Sequence, residues 1–324
     1  MILKVCVSGA LIWYLLSGID LDRVWAQLTD VDSAMLVAAA AMMLVQTVIG
    51  ALRWRVAAVA IDVPLSVFHA VRMFYIGAFF NQALPGGTGG DAVRMYMGYK
   101  SGFGLRGAIN SVILERVATV LALVFLVCAT QTSFLPRLDE ATRSLVLPTV
   151  LIVAAGAVGG TVLLCLLDRV PESLRHWKLV RGLGHLAGDA RLVFLRLRNA
   201  APLLMWSVLG HANISACVYV MALGLGLGID LFDCIVLMPP VLLVMTLPIS
   251  IGGWGVRENA MVFAFGLVGV SQEAATVLGV LLGFIGLATA LPGGLVWLAT
   301  RGDDHSISLD DVDGDLAPAG PEES

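Results

Sequence analysis

Two stretches of sequence decide the fold: LPGGTGGDAVR at residues 84–94 and LPISIGGWGVR at residues 247–257. Both follow the pattern Leu-Pro-x-x-x-Gly-Gly-x-x-Val-Arg, and the second copy begins 163 residues after the first in a chain of 324 residues. Proline removes a backbone donor and glycine loosens the backbone, so an apolar helix must stop at each copy. The pattern therefore predicts an internal repeat with one broken helix in each half of the chain.

The composition places these breaks in a membrane protein. Apolar residues make up 58% of the chain and charged residues 14%, against about 25% charged in an ordinary soluble domain. Most apolar runs approach the roughly 20 residues that a helix needs to cross a bilayer. The runs cover residues 2–16, 34–52, 108–129, 145–167, 201–227 and 274–300. We therefore expect an all-α, polytopic transmembrane domain over residues 1–301.

The two ends of the chain need separate interpretations. Residues 2–16 follow the pattern of a secretory signal in part, but no small-residue cleavage site follows them, so a first anchor helix is favoured. Residues 302–324 carry eight acidic residues and no lysine or arginine. A polar, aromatic-free segment of this kind cannot bury a core, so we expect a disordered acidic tail on the cytoplasmic side.

Charge in the loops predicts the orientation, because basic residues concentrate on the cytoplasmic side. The charged residues of 20–32 are four acids and one arginine, which predicts an outside loop. Residues 168–199 carry seven basic residues against three acids, which predicts a cytoplasmic segment. Within that cytoplasmic segment, RLVFLRLR at residues 191–198 predicts a short helix along the anionic inner leaflet. The favoured alternative is ordinary loop charge without specific lipid binding. Both termini are expected in the cytoplasm, with the domain in the inner (plasma) membrane.

The number of crossings between the two copies predicts how they are related. Three apolar runs separate them, and an odd number of crossings puts the copies on opposite sides of the membrane. The fold expected is an inverted-topology repeat with two broken, re-entrant helical hairpins that meet near the midplane, as in many secondary transporters. A partial echo, LPGG at residues 291–294, predicts a kink near the end of the last helix.

Three motifs resemble those of a known family. They are FFNQALPGGxGGDxxR at residues 79–94, SVxLER at residues 111–116 and LPISxGGxGVRE at residues 247–258. Together they resemble the flippase-like family of the lysylphosphatidylglycerol synthase membrane domain. The resemblance implies an inner-membrane protein that moves or handles a polar-headed lipid, in some members the aminoacylated phosphatidylglycerol made by an attached synthase. Only the acidic tail follows the membrane part here, so the lipid itself is not carried over.

Six ionisable residues are candidates for substrate binding. Glu115 and Arg116 lie inside a helix expected to begin near residue 107, about 12 Å deep, where charges are costly and usually functional. As neighbours they point about 100° apart, so each either pairs with another helix to fix packing or lines a lipid path, which we favour. The remaining four follow the glycine pairs: Arg94, Arg257, Asp91 and Glu258.

The arginines and acids of the repeat have alternative roles. Guanidinium binds phosphate through two hydrogen bonds, so Arg94 and Arg257 are the preferred headgroup contacts, with interfacial anchoring as the alternative. Asp91 and Glu258 either pair with these arginines or bind a proton or an ammonium headgroup. Close backbone approach and amides turned toward phosphate are expected at the hinge residues. These are Pro85, Gly86, Gly87, Gly89, Gly90, Pro248, Gly252, Gly253 and Gly255.

Other functions find little support in the sequence. The glycine-rich break lacks the lysine of a nucleotide-binding loop. His69 and His211 are isolated, so no metal is expected. Arg53-Trp54-Arg55 is typical of an interfacial anchor, and Asn81 is expected to cap a helix or to pack rather than to bind a ligand. Nucleic acid and cofactors are not expected.

The leading hypothesis is a non-enzymatic lipid translocase of the flippase kind. Its substrate would be a polar-headed lipid: an anionic or aminoacylated phospholipid, or a polyprenyl-linked lipid. The alternative is a non-transporting membrane component of a lipid-modifying or glycosyl-transfer enzyme system, which implies a separate enzyme as partner. Besides the lipid substrate, anionic lipids of the inner leaflet are expected partners.

Overall fold

The computed structural model describes residue 22 and residues 31–83, 89–169, 178–247, 250 and 252–300. Within these ranges all regular secondary structure is helical, and we number the α-helices in chain order. A π-helical turn at Tyr99–Phe103 and a 3-10 turn at Leu135–Arg137 lie between some of them. The helices are α1 Ser33–Ala60, α2 Val67–Ala83, α3 Gly89–Gly98, α4 Gly104–Phe134, α5 Glu140–Cys165, α6 Lys178–Phe194, α7 Leu197–Gly224, α8 Leu231–Met245, α9 Val256–Gly266 and α10 Gln272–Thr300.

Five segments of the described chain are long and apolar enough to cross a membrane. They are α1, α5, α7, α10 and the run Gly89–Gln131, which joins α3 to α4. The shortest has 26 residues and is about 39 Å long, more than the roughly 30 Å of the hydrocarbon core. The described residues thus confirm an all-helical fold with several helices able to span a membrane. The expected first anchor at residues 2–16 and the acidic tail lie outside the described residues.

Both helix breaks predicted from the repeat are present. Helix α2 ends at Ala83 and α3 begins at Gly89, while α8 ends at Met245 and α9 begins at Val256. In the second break Gly252, Gly253 and Gly255 adopt φ values of 58°, 79° and 82°, which side chains other than glycine rarely adopt. In the first copy Gly89 and Gly90 instead form the first turn of α3. Pro85, Gly86, Gly87 and Pro248 lie outside the described residues.

The two halves of the described chain have equivalent helix contacts. Helices α1 to α4 correspond in order and approximate length to α7 to α10, and α5 and α6 connect the two sets. Within each set the first helix touches the second and fourth, the second touches the third, and the third touches the fourth. Between the sets α1 packs on α7, α2 on α10 and α8 on α4. Each of these helix pairs in one half thus has its counterpart in the other.

Loop contacts define two ends of the bundle. At one end, which we call the α6 end, Val63 before α2 lies so close to Gly107 of α4 that a side chain at Gly107 would overlap it. Asp189 of α6 also binds α4 at this end, through Arg106. At the opposite end, the Asp233 end, Arg137 after α4 forms a 3.1 Å ion pair with Asp233 of α8.

The loops beside α8 and α10 meet at the Asp233 end. The α7–α8 loop and the α9–α10 loop line one shallow pocket of about 310 Å³, with Ile229 on one side and Ser271 on the other. The amide of Asp32 before α1 donates to the Gly224 carbonyl oxygen at 3.0 Å. The α1 start, the α7 end and both neighbouring loops therefore share this end.

Residues 191–198 do not form one helix. The prediction of a helix there is wrong, because α6 covers Lys178–Phe194 and α7 begins at Leu197. Tertiary contacts decide its position: buried Asp189 accepts from Asn110 Nδ2 at 2.6 Å, and Arg191 pairs with Asp168 at 2.7 Å. The Arg191 guanidinium lowers the pKa of the Asp168 carboxyl by hydrogen bonding to it. One face of α6 thus packs against the rest of the protein.

Residues 291–294, the LPGG sequence, lie near the end of the last helix, as expected, and the kink there stays a prediction. Helix α10 continues through Pro292 to Thr300. A Cβ at Gly293 would overlap the Tyr75 carbonyl oxygen, and one at Gly294 would lie 2.9 Å from the Phe79 ring. These glycines let α10 approach α2 closely, because packed interiors leave no room for an added methyl group.

Candidate functional site

Five charged side chains from α1, α3 and α4 form one buried network, which we call the charge network: Arg53, Asp91, Arg94, Glu115 and Arg116. Glu115 lies at its centre. Arg53 Nε donates to Glu115 Oε1 at 2.6 Å, and Arg94 Nη2 donates to Glu115 Oε2 at 3.1 Å. Because α4 begins at Gly104 and not near residue 107, Glu115 lies about 17 Å along the helix, deeper than expected.

Asp91 links Arg94 to Arg116, two of the three arginines that the sequence singled out. Its Oδ1 accepts from Arg94 Nη2 at 2.6 Å, and its Oδ2 accepts from Arg116 Nε at 2.6 Å. Arg116 Nη2 adds a third bond to Oδ1 at 2.9 Å. Of the two roles expected for Asp91, the structure shows pairing with Arg94. Glu115 and Arg116 also pair with other helices and not with each other, as their angular separation requires.

A close approach of α2 to α3 holds Asp91 and Arg94 in place. A Cβ at Gly90 would overlap the Gly77 carbonyl oxygen, so only glycine fits at this crossing. Asn81 Oδ1 accepts from the Gly90 amide at 2.8 Å and caps α3, as predicted. That amide is therefore occupied by the protein and is not turned toward a ligand.

The charge network has one positive charge in excess, because three guanidinium groups face two carboxylates. Glu115 is 0% exposed and Arg94 is 3% exposed, while 43% of the Arg116 side chain is exposed. Arg94 also lies between two rings, with its guanidinium carbon 5.0 Å from the Trp54 centroid and 4.6 Å from that of Phe74. Its Nη1 is buried and has no hydrogen-bond partner among the described residues. The network is thus cationic and open at Arg116.

Sequence reasoning missed Arg53 and Trp54 as parts of the site. Their interpretation as an interfacial anchor is wrong, since Arg53 binds Glu115 and Trp54 is fully buried, with Nε1 3.2 Å from Ser111 Oγ. The apolar run seemed to end at residue 52, but α1 continues to Ala60 and keeps both residues inside the bundle. The sequence feature that could have indicated this role is Arg53 itself, a charged residue within the last two turns of a spanning helix.

His211 of α7 lies beside the network. Its Nε2 is 3.1 Å from the Thr119 carbonyl oxygen, and Thr119 Oγ1 donates to the Glu115 carbonyl oxygen at 2.9 Å. His69, in contrast, bonds to Ser66 near the start of α2. The described residues contain no group of three histidine, cysteine or acidic side chains suited to a metal ion.

The second repeat arginine forms a separate pair. Arg257 Nε and Nη2 donate to Glu258 Oε1 at 3.0 and 2.6 Å, and the Gly255 amide donates to Glu258 Oε2 at 2.6 Å. Both side chains are buried, and a Cβ at Gly283 of α10 would overlap the guanidinium. Within the described residues Arg257 pairs with Glu258 and not with Asp91 or Glu115. Of the two roles expected for Glu258, the structure shows pairing with Arg257. That Arg94, Arg257, Glu115 and Arg116 share one polar cavity stays a prediction.

Comparison with protein families agrees with this geometry. The family described as the lysylphosphatidylglycerol synthase TM region matches residues 1–294 of the 324-residue chain. The chain belongs to this family. No curated protein and no solved structure matches it significantly. Membership in the lysylphosphatidylglycerol synthase TM family, together with the spanning helices, makes the chain a multi-pass membrane protein related to lipid handling.

The structure brings two of the family-like motifs together. Residues 79–94 supply Asp91 and Arg94, and residues 111–116 supply Glu115 and Arg116, so these motifs meet in the charge network. The third motif, residues 247–258, supplies the closed pair of Arg257 with Glu258.

Gln82, near the end of α2, lies close to the second half of this family member. Its Oε1 lies 3.6 Å from the position that a Cβ would take at Gly252, and its Nε2 lies 3.5 Å from that position at Gly286 of α10. The end of α2 therefore meets the second break. Sequence reasoning did not single out Gln82, because a lone glutamine at a helix end carries no pattern.

Proposed function

We propose that this chain is a lipid translocase of the flippase kind, which lets a polar headgroup cross between its two halves without catalysing a covalent step. The observation that carries the proposal is the charge network, a cationic cluster whose centre, Glu115, lies about 17 Å along the spanning helix α4 and which is buried except at Arg116. Ionisable groups at such depth are costly to bury and usually serve a polar substrate or ion. An anionic or aminoacylated phospholipid, or a polyprenyl-linked lipid, has a headgroup of the required polarity.

The architecture supports alternating passage between the halves. Helices α2, α3, α8 and α9 have 17, 10, 15 and 11 residues, so each is shorter than the roughly 20 residues that a spanning helix typically has. The α2–α3 hairpin starts and returns at the α6 end, and the α8–α9 hairpin starts and returns at the Asp233 end. Together with the matching contacts of the two halves, this favours an inverted-topology repeat with two re-entrant hairpins.

Charge supports an orientation with the α6 end in the cytoplasm of a cell with an inner membrane. Basic residues are frequent there, as the positive-inside rule requires. They include Lys100, Arg106, Arg169, Arg191, Arg196 and Arg198. Acidic residues are frequent at the Asp233 end: Asp139, Glu140, Asp230, Asp233 and Glu273. Because α10 runs from the Asp233 end to the α6 end, the chain after Thr300 begins on the cytoplasmic side.

Lipid exchange in vesicles tests this function. The purified protein would be reconstituted, and the transfer of lipids carrying a fluorophore on one acyl chain would be followed by quenching from outside. We expect faster exchange than in protein-free vesicles, and a rate reduced by about tenfold or more in Arg116→Gln, because a charge-assisted hydrogen bond contributes about 1.5–3 kcal/mol.

Arg143→Gln provides the matched control, since Arg143 is exposed in the first turn of α5 and lies outside the charge network. It should exchange lipid at the parent rate. Parent protein that moves no lipid faster than empty vesicles would refute the translocase.

A further inference from the structure

We infer that the charge network selects a net-anionic headgroup, a phosphate ester without an ammonium group, over an aminoacylated one. The inference rests on the proposed function and narrows its substrate class. It depends on which hydrogen-bonding groups the protein has already used and which remain.

The carboxylates that an ammonium group would need are occupied. Both Asp91 oxygens accept from Arg94 or Arg116, at 2.6 to 2.9 Å. Both Glu115 oxygens accept from arginine, Oε1 from Arg53 and Oε2 from Arg94. An ammonium headgroup would therefore have to displace an arginine from its partner, which leaves a buried guanidinium without a counter-charge.

The pair of Arg257 with Glu258 also has no carboxylate oxygen left without a partner. One Glu258 oxygen accepts from Arg257 and the other from the Gly255 amide at 2.6 Å, and both side chains are buried. A cation approaching the α8–α9 hairpin thus meets a carboxylate already neutralised by its neighbour.

The hydrogen-bonding groups of the charge network that remain available to a ligand are donors. Arg94 Nη1 is buried, has no partner among the described residues and belongs to a side chain 3% exposed. Arg116 uses Nε and Nη2 for Asp91 and leaves 43% of its side chain exposed. Guanidinium groups bind phosphate oxygens through parallel hydrogen bonds, so the site offers donors to an acceptor ligand.

The net charge of the charge network also favours an anionic headgroup. The network carries three guanidinium groups and two carboxylates, and one phosphodiester would bring the sum to zero. A lysyl ester of phosphatidylglycerol carries one phosphate and two ammonium groups, so it would add a positive charge to a positive site. Like charges at this depth repel strongly, because the surroundings screen them less than water does.

The exposed position of Arg116 indicates that the phosphate belongs to a lipid. Arg116 lies 12 residues after the start of α4, about 18 Å along a spanning helix, so a ligand reaches it from within the membrane thickness. A free phosphate ion would have to leave water to arrive there, whereas a lipid headgroup moves with its own acyl chains.

The test compares headgroups in the same vesicles with the full-length protein. Phosphatidylglycerol, lysyl-phosphatidylglycerol and phosphatidylcholine would each carry the same fluorophore on one acyl chain. We expect phosphatidylglycerol to exchange at least about tenfold faster than either of the others. Arg94→Gln removes the excess positive charge and should reduce this preference toward unity. Arg143→Gln removes an exposed positive charge outside the charge network and should keep the parent preference.

The outcomes separate the inference from the proposed function. Equal exchange of phosphatidylglycerol and its lysyl ester, or faster exchange of the ester, would overturn the selectivity while the translocase stands. Exchange of no lipid above protein-free vesicles would overturn both. If millimolar inorganic phosphate competed fully with phosphatidylglycerol, the site would belong to a free anion and the lipid assignment would be wrong.

Discussion

Removing the charge of Glu115 should destabilise the protein more than any other single charge change in the network. Glu115 is the common partner of Arg53 and Arg94, and all three side chains are buried. In Glu115→Gln the network has three positive charges and one negative charge, so two buried arginines share an amide instead of a carboxylate. Breaking a buried ion pair from one side costs about 3–5 kcal/mol.

A second substitution separates charge from packing. Arg53→Gln in the Glu115→Gln background restores the original excess of one positive charge, and the two amides can still form a hydrogen bond. Polar contacts between neutral groups in a membrane contribute about 0.6–2 kcal/mol, less than an uncompensated charge costs. We therefore expect the double variant to be more stable than Glu115→Gln alone, with a coupling energy of about 2 kcal/mol.

Unfolding in mixed detergent micelles provides the measurement. Tryptophan fluorescence should report the transition, because Trp54 packs on the Arg94 guanidinium. Glu140→Gln removes an exposed carboxylate at the start of α5 and should change the free energy of unfolding by less than about 0.5 kcal/mol. If Glu115→Gln costs as little as this control, or if the two network substitutions add without coupling, the ion pairs do not stabilise the fold.

Two further predictions concern packing and topology. Gly293→Ala should cost about 1–3 kcal/mol because its methyl group would overlap the Tyr75 carbonyl oxygen, while Gly159→Ala, with nothing within 4 Å, should be neutral or stabilising in thermal unfolding. Equal melting temperatures would show that α10 does not pack on α2 in this way. With the native cysteines replaced, introduced cysteines should react with an impermeant reagent from outside at the Asp233 end and not at the α6 end. The positions are Gly228 and Ser271 at the former and Ser66 and Ser101 at the latter. Labelling of only one of Ser66 and Ser101 would show that the first hairpin crosses the membrane.

The sequence alone predicted the features that depend on neighbouring residues. Hydropathy and run length predicted the spanning helices, because a helix in lipid must satisfy its own backbone and cover about 30 Å. Proline and glycine at fixed spacing predicted that α2 and α8 stop where they do. The pairs Asp91 with Arg94 and Arg257 with Glu258 are three residues and one residue apart, so local geometry was enough to propose them.

Only the tertiary structure decided which charges form the site. Arg53 and Glu115 are 62 residues apart, and their pairing depends on how α1 packs against α4. The same is true of Gln82, which reaches the second break because α2 packs on α10. The two repeat arginines have one sequence pattern, yet Arg94 joins an open cationic network and Arg257 a closed neutral pair. Their difference arises from the helices that face them: α4 presents Glu115 to Arg94, whereas α10 presents Gly283 to Arg257.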